Sequence, residues 1–182
     1  EFCRLLKVSE AFLEQHPEYL TTLGVKPHYI ETGYGHIKMG EKLGDFLSES
    51  VYTVDAFMEK PKYELAKEYT ESGQYLWNSN MFAWRADTIL SLFQKHVPEM
   101  YAGLMKIQEA IGTPREREVL ETVYGTLEKI SIDYAIIEKV ETMAVVAADI
   151  GWTDIGSWKT IGEVQPLDEN GNLFRAQVEA LD

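Results

Sequence analysis

Residues 143–148 read MAVVAA, an unbroken run of small apolar side chains. A half-buried strand alternates apolar and polar residues, so a run without alternation has to be covered on both faces. This one segment demands a sheet with further layers above and below it, and the rest of the chain must supply them. Residues 51–59 have period two: Tyr52, Val54, Ala56 and Met58 share one apolar face, Thr53, Asp55 and Glu59 the other, with Phe57 among them. Pro61 closes that strand, because it cannot donate to a ladder. Residues 21–25 predict a short strand, and residues 75–77 another, interrupted at Asn78-Ser79-Asn80 and resumed over 81–84. Residues 31–44, with Gly33, Gly35, Gly40 and Gly44, read as loop and short strand.

Helical spacing fills the intervals. Residues 1–20 carry Phe2, Leu5, Leu6, Phe12 and Leu13 at near-helical positions, disturbed by Pro17. A short helix presents Leu65, Ala66 and Tyr69 and stops before Gly73. Two more are expected to bury Ile89, Leu92, Phe93 and Val97, and then, after Pro98, Met100, Leu104, Ile107 and Ile111. Thr113, Pro114 and Glu116 spell a capping box for a helix that buries Val119, Leu120 and Val123 and ends at Gly125. Ser131 caps a helix over 131–139; a last helix is expected over 158–163 and a last strand after Asn172. Strands alternating with helices predict an α/β fold, a three-layer α/β/α arrangement around a mixed sheet.

Charge narrows the partners. The 182 residues hold 17 basic and 30 acidic side chains, a net −13 at pH 7, which repels nucleic acid and anionic membranes. No apolar run reaches the roughly 18–20 residues that span a bilayer, and the first residues do not make a signal peptide, so a cytoplasmic protein is the expectation. The single cysteine, Cys3, excludes an intramolecular disulfide and has no evident base beside it. His16, His28, His36 and His96 show no ligand spacing and are expected on the surface or in satisfied polar positions.

Four segments carry residues suited to a ligand. In ETGYGHIK, Gly33 and Gly35 let backbone approach a ligand and Lys38 offers a cation, although a glycine turn between strands reads the same way. Glu59 can accept hydrogen bonds from sugar hydroxyls and Lys60 can meet a phosphate, or the pair is a charged strand end. The Asn78 amide suits a polyol and Trp77 can pack on a sugar ring, or the segment is a bulge. In GWTDIGSW, Asp154 is a candidate Mg²⁺ ligand, or it caps the following helix.

The strings ETGYGHIK, VDAFMEKP, YLWNSNMF, SIDYAIIEK and VVAADIGWTDIGSW, in that order, resemble the mannose-1-phosphate guanylyltransferase family of sugar-phosphate nucleotidyltransferases over about residues 20–175. The resemblance implies an enzyme joining GTP and mannose 1-phosphate into GDP-mannose and pyrophosphate. Within the class, a thymidylyl- or uridylyltransferase is the alternative; outside it, a non-catalytic sugar-phosphate-binding module. On matching positions, Gly35 offers backbone to the sugar, Glu59 holds its hydroxyls, Lys60 contacts its phosphate, Asn78 contacts the sugar, and Asp154 binds Mg²⁺. Lys60 and Asp154 would be the catalytic pair, and residues 131–139 would shape the sugar-side wall.

Two departures accompany the resemblance. Asn80 stands where the family usually has glycine, a change that asparagine's tolerance of positive φ softens. The family's glycine-rich nucleotide loop and its Asp-His pair have no counterpart in these residues. Residues 1–170 are therefore expected to be the C-terminal, sugar-binding portion of a nucleotidyltransferase domain and 171–182 the start of a following region. A homo-oligomer is compatible with this reading. A sheet lacking its first strands is expected to leave an unpaired edge.

Overall fold

The computed structural model describes residues 1–156 together with Thr160, Ile161 and Gln165. Two compact units divide after Ile150, one over Glu1–Ile150 and one over Gly151–Asp182. In the first, the order is α1 (Phe2–Gln15), β1 (Leu20–Val25), β2 (His36–Phe46), β3 (Glu49–Met58), α2 (Tyr63–Ser72), β4 (Tyr75–Ala83), α3 (Ala86–His96), α4 (Pro98–Ala110), α5 (Glu116–Tyr124), α6 (Ile132–Ala135), a 3₁₀ turn (Ile137–Lys139) and β5 (Met143–Ala148). The fold is α/β with a mixed sheet: β1 and β5 run parallel and every other pair is antiparallel. The helix and strand expected over 158–163 and after Asn172 fall largely outside the described residues, although Thr160 and Ile161 are helical. Among the described residues, no helix is long and apolar enough to cross a membrane.

The strands are hydrogen-bonded in the order β1-β4-β2-β3-β5, and β5 returns to β1 to close the ring. Each of the five therefore has a neighbour on both sides. This corrects the expectation of an open sheet with an unpaired edge: β3 reaches β5 through Val51, Tyr52 and Thr53, so the edge is capped from within the chain. As the composition demands, β5 is buried almost throughout. Helices lie on both sides of the sheet. α1 lies against β1 and β5, its buried stripe being Leu5, Val8, Phe12 and Leu13. α3 and α6 meet Leu20 and Met143 through Ile89, Ala135 and Ile136.

Sequence and structure part at three places, each for a local reason. The glycine-rich stretch is no loop beyond His36: β2 runs eleven residues and pairs with β3 through a two-residue turn, Leu47-Ser48, with φ of 48° and 70°. Two left-handed residues give the turn twist that suits a hairpin. A register shift beside Asp55 places one extra residue on β3, so Val54 and Phe57 both reach the core despite their odd spacing. β4 is continuous across Asn78–Asn80, with a register shift against β1. There the Ser79 hydroxyl donates to the Leu23 carbonyl and the Thr22 hydroxyl to that of Met81, 3.2 Å away.

The helical hairpin also differs. α5 begins at Glu116, not at Pro114, because residues 113–115 form a turn: the Arg115 amide donates to the Thr113 hydroxyl (3.3 Å) and the Glu116 carboxylate accepts from the Gly112 amide (2.7 Å). The reciprocal logic of a capping box is kept, with each amide donor one residue early. α5 buries none of its residues, and Leu120 is exposed, as is Ile111 after α4. Ser131 stands at the start of α6 without a side-chain cap, and Ile136 breaks the expected helix into α6 and the 3₁₀ turn.

Candidate functional site

A cavity of about 180 Å³ opens where the start of β2 and the end of β3 meet the middle of β4 and α6. Its walls include Gly35, Glu59 and Asn78, three of the four residues expected to hold a substrate, brought together from three separate segments. Gly35 precedes β2, Glu59 follows β3, and Asn78 lies in β4, so the closed pairing of these strands is what assembles them. The Asn78 backbone amide donates to the Gly35 carbonyl at 2.8 Å, which ties the segments at the cavity floor.

Gly35 is glycine for reasons of space. A Cβ built there would stand 2.9 Å from Glu59 Oε2 and 3.5 Å from Asn78 Cβ. The Glu59 carboxylate stands where a side chain would begin, so a Cβ at this position would press it out of place. Gly33, by contrast, belongs to a local turn in which its amide donates to Glu31 Oε1 at 2.7 Å.

Asn78 and Asn80 form a reciprocal pair. Asn78 Nδ2 donates to Asn80 Oδ1 at 2.9 Å, and the Asn80 backbone amide donates to Asn78 Oδ1 at 3.1 Å. Asn80 has a φ of 55°, so the left-handed turn survives with asparagine in it.

The remaining wall is residues that periodicity passed over. Ser131, Asp133, Tyr134 and Glu138 come from α6 and its 3₁₀ extension, and among the described residues the cavity wall holds three carboxylates and no lysine or arginine. The resemblance carried by the SIDYAIIEK string implied a wall over residues 131–139, and these side chains do line the cavity. The site as built suits a ligand's neutral, hydroxyl-bearing part: carboxylates accept, the Asn78 amide donates, and no described wall cation draws an anion inside.

Other expected residues lie elsewhere. Lys60 is beside the cavity in sequence but is not part of its lining; its Nζ is 3.4 Å from Glu59 Oε1, and both side chains are mostly exposed. Its φ of 43° immediately before Pro61 is a left-handed conformation that non-glycine residues adopt at a cost of about 1–3 kcal/mol. Lys38 stands 3.9 Å from Asp55, away from this cavity. Asp154 belongs to the second unit, where its carboxylate lies 3.7 Å from the place of a Gly156 Cβ. Trp77 is 1% exposed and packs against Tyr29, Tyr34 and His28, so it does not present a face to a sugar.

His36 corrects the expectation of a surface or satisfied histidine. It is fully buried, its Nδ1 lies 3.1 Å from the Tyr34 carbonyl, and its Nε2 has no partner among the described residues. Burial holds its imidazolium below the ordinary histidine range, against the opposite pull of the Tyr34 carbonyl and Glu31. A folded-state value below the unfolded one means that the unfolded chain binds the proton first. Stability is therefore complete above about pH 6.5, the unfolded value, and falls as the pH drops through the folded value. His96, lowered by burial and by Lys95 and Lys139, adds in the same sense. Urea unfolding at pH 7.5 and pH 5.5 is expected to show this loss, with a shallower loss in His36→Asn; an equal slope in both proteins rejects the assignment.

Comparison with known proteins shows the family and the fold. The nucleotidyl transferase family matches residues 4–171. A mannose-1-phosphate guanylyltransferase of Salmonella montevideo is 35% identical over 97% of this chain and 38% of its own length. One of Klebsiella pneumoniae is 36% identical over 93% of this chain and 36% of its own. A crystal structure described as mannose-1-phosphate geranyltransferase from Thermus thermophilus superposes with a TM-score of 0.69 at 34% identity, over 87% of this chain and 43% of that one. The chain thus spans little more than a third of the length of the two curated relatives. With the family matched along nearly its whole length, this chain belongs to the nucleotidyl transferase family.

Proposed function

We propose that this chain is the sugar-phosphate-binding portion of a mannose-1-phosphate guanylyltransferase, which converts GTP and mannose 1-phosphate into GDP-mannose and pyrophosphate. The observation that carries the proposal is the convergence of Gly35, Glu59 and Asn78 on one cavity from segments far apart in sequence. The names of the similar guanylyltransferases supply the sugar and the nucleotide.

In this reading the hexose enters the acidic cavity with its hydroxyls toward Glu59 and Asn78, and its phosphate stays outside, where Lys60 meets it. A phosphate oxygen of the sugar attacks the α-phosphorus of GTP in line; the bond to the bridging oxygen breaks and pyrophosphate leaves. Such a reaction asks the protein for position and charge, and for no protein nucleophile. The strain at Lys60 fits a residue held in place for a ligand, because unusual backbone angles persist where surroundings enforce them.

Mg²⁺ is the proposed cofactor, neutralising charge on the phosphates when bound. Among the described residues, no group of three His, Cys, Asp or Glu side chains is placed to hold a metal. One exposed carboxylate, Asp154, fits an ion that keeps waters and substrate phosphates in its shell and takes few protein ligands.

Calorimetric titration of mannose 1-phosphate into the full-length protein that contains this chain tests the proposal. Binding is expected, and Glu59→Ala is expected to weaken it about tenfold to a hundredfold, the weight of hydrogen bonds to a charged acceptor. A protein that does not bind mannose 1-phosphate, or a Glu59→Ala variant that binds it unchanged, overturns this reading.

A further inference from the structure

From the reciprocal pair at the cavity wall, we infer that Asn80 is a positioning residue that pre-orients the Asn78 amide for the ligand. The inference rests on the sugar-phosphate reading of the cavity and adds a residue to it. Asn80 lines the same cavity and holds φ at 55°, a conformation in which glycine is the unstrained choice. A glycine there would supply the turn and its backbone amide, and nothing more. Asparagine supplies the turn and a second hydrogen bond, from Asn78 Nδ2 to Asn80 Oδ1 at 2.9 Å.

That second bond decides how Asn78 is presented. With the Asn80 backbone amide donating to Asn78 Oδ1 at 3.1 Å, both ends of the Asn78 amide are held. One lone pair of its oxygen and one of its two N–H groups are committed, which leaves one N–H to donate and one lone pair to accept. Asn78 therefore offers one donor and one acceptor position, both of fixed direction. Around it the Glu59, Asp133 and Glu138 carboxylates accept and the Ser131 and Tyr134 hydroxyls can turn to donate or accept, so an amide of fixed direction among them reads which ligand oxygen must accept. Without the Asn80 side chain the amide is held at one end only, and binding has to order it.

Asn80→Gly separates the two roles of the residue, because it preserves the turn and removes the side-chain bond. Its thermal midpoint is expected to match or exceed that of the unsubstituted protein, while mannose 1-phosphate affinity falls on the order of threefold to tenfold, the cost of immobilising one side chain. The signature that a merely structural role would not give is the side-chain ¹H–¹⁵N resonance pair of Asn78 in the ligand-free full-length protein. In Asn80→Gly its order parameter is expected to drop. An Asn78 amide equally ordered in both proteins, or an affinity unchanged by Asn80→Gly, overturns the inference. If the unsubstituted protein fails to bind mannose 1-phosphate, the site reading falls, while the resonance measurement still decides whether Asn80 holds Asn78.

Discussion

Trp77→Ala is expected to cost about 3–5 kcal/mol of folding stability, the range for truncating a large buried aromatic. The indole is 1% exposed in β4, paired across the ladder with Val25 of β1 and His36 of β2. Its ring lies 4.7 Å from that of Tyr29 and 5.3 Å from that of Tyr34, so truncation removes both ring contacts and leaves a cavity in the packing. The urea midpoint should fall with little change in slope. Trp77→Phe is expected to be far milder, because the indole N–H is buried with no acceptor among the described residues. An unsatisfied buried donor costs about 1–3 kcal/mol, and phenylalanine removes that cost as it gives up volume. Trp77→Phe should also bind mannose 1-phosphate as the unsubstituted protein does, since Trp77 is not part of the cavity wall. A loss of affinity there without a loss of stability would restore the stacking role that the sequence suggested for this residue.

The same region shows what the sequence could and could not disclose. β5 and β3 were legible because composition and period act over several residues at once: MAVVAA could only be an interior strand, and Pro61 could only end one. The interruption at Asn78–Asn80 was legible as a break in apolar pattern but not as a bulge in a continuous strand. What keeps the strand going is the Ser79 and Thr22 hydroxyls reaching backbone carbonyls across β1 and β4, a contact between residues more than fifty positions apart. Phe57 looked out of phase for a similar reason, because the extra residue at Asp55 exists only relative to its partner strand. The site follows the same rule. Gly35, Glu59 and Asn78 were marked by residue type and by resemblance, while Asp133 and Glu138 were marked only as part of a wall over residues 131–139 that the resemblance implied, since a broken turn of helix facing a cavity has no period. α5 was misread in the opposite direction. Its apolar spacing is helical, but spacing alone does not say that a partner covers the face, and here none of its residues is buried.

Gly35→Ala is expected to remove most of the affinity for mannose 1-phosphate while leaving the fold almost untouched. The added Cβ would stand 2.9 Å from Glu59 Oε2, too close for both to remain. What must move is the far end of an exposed, flexible carboxylate, which can swing away at little cost to folding, and Gly35 is not among the residues held at positive φ. The ligand therefore loses the Glu59 acceptor through a substitution at a different residue. Affinity should fall at least as far as in Glu59→Ala, about tenfold to a hundredfold on the scale of a charge-assisted hydrogen bond. The urea midpoint should stay close to that of the unsubstituted protein. The decisive comparison is the double variant. If Gly35→Ala acts chiefly by displacing Glu59, then adding it to Glu59→Ala costs little more, because the carboxylate is already gone and the new methyl has room. Losses that add in full would mean that the alanine blocks the ligand directly. In that case Gly35 itself, through its backbone, would be the principal contact, with Glu59 acting independently beside it.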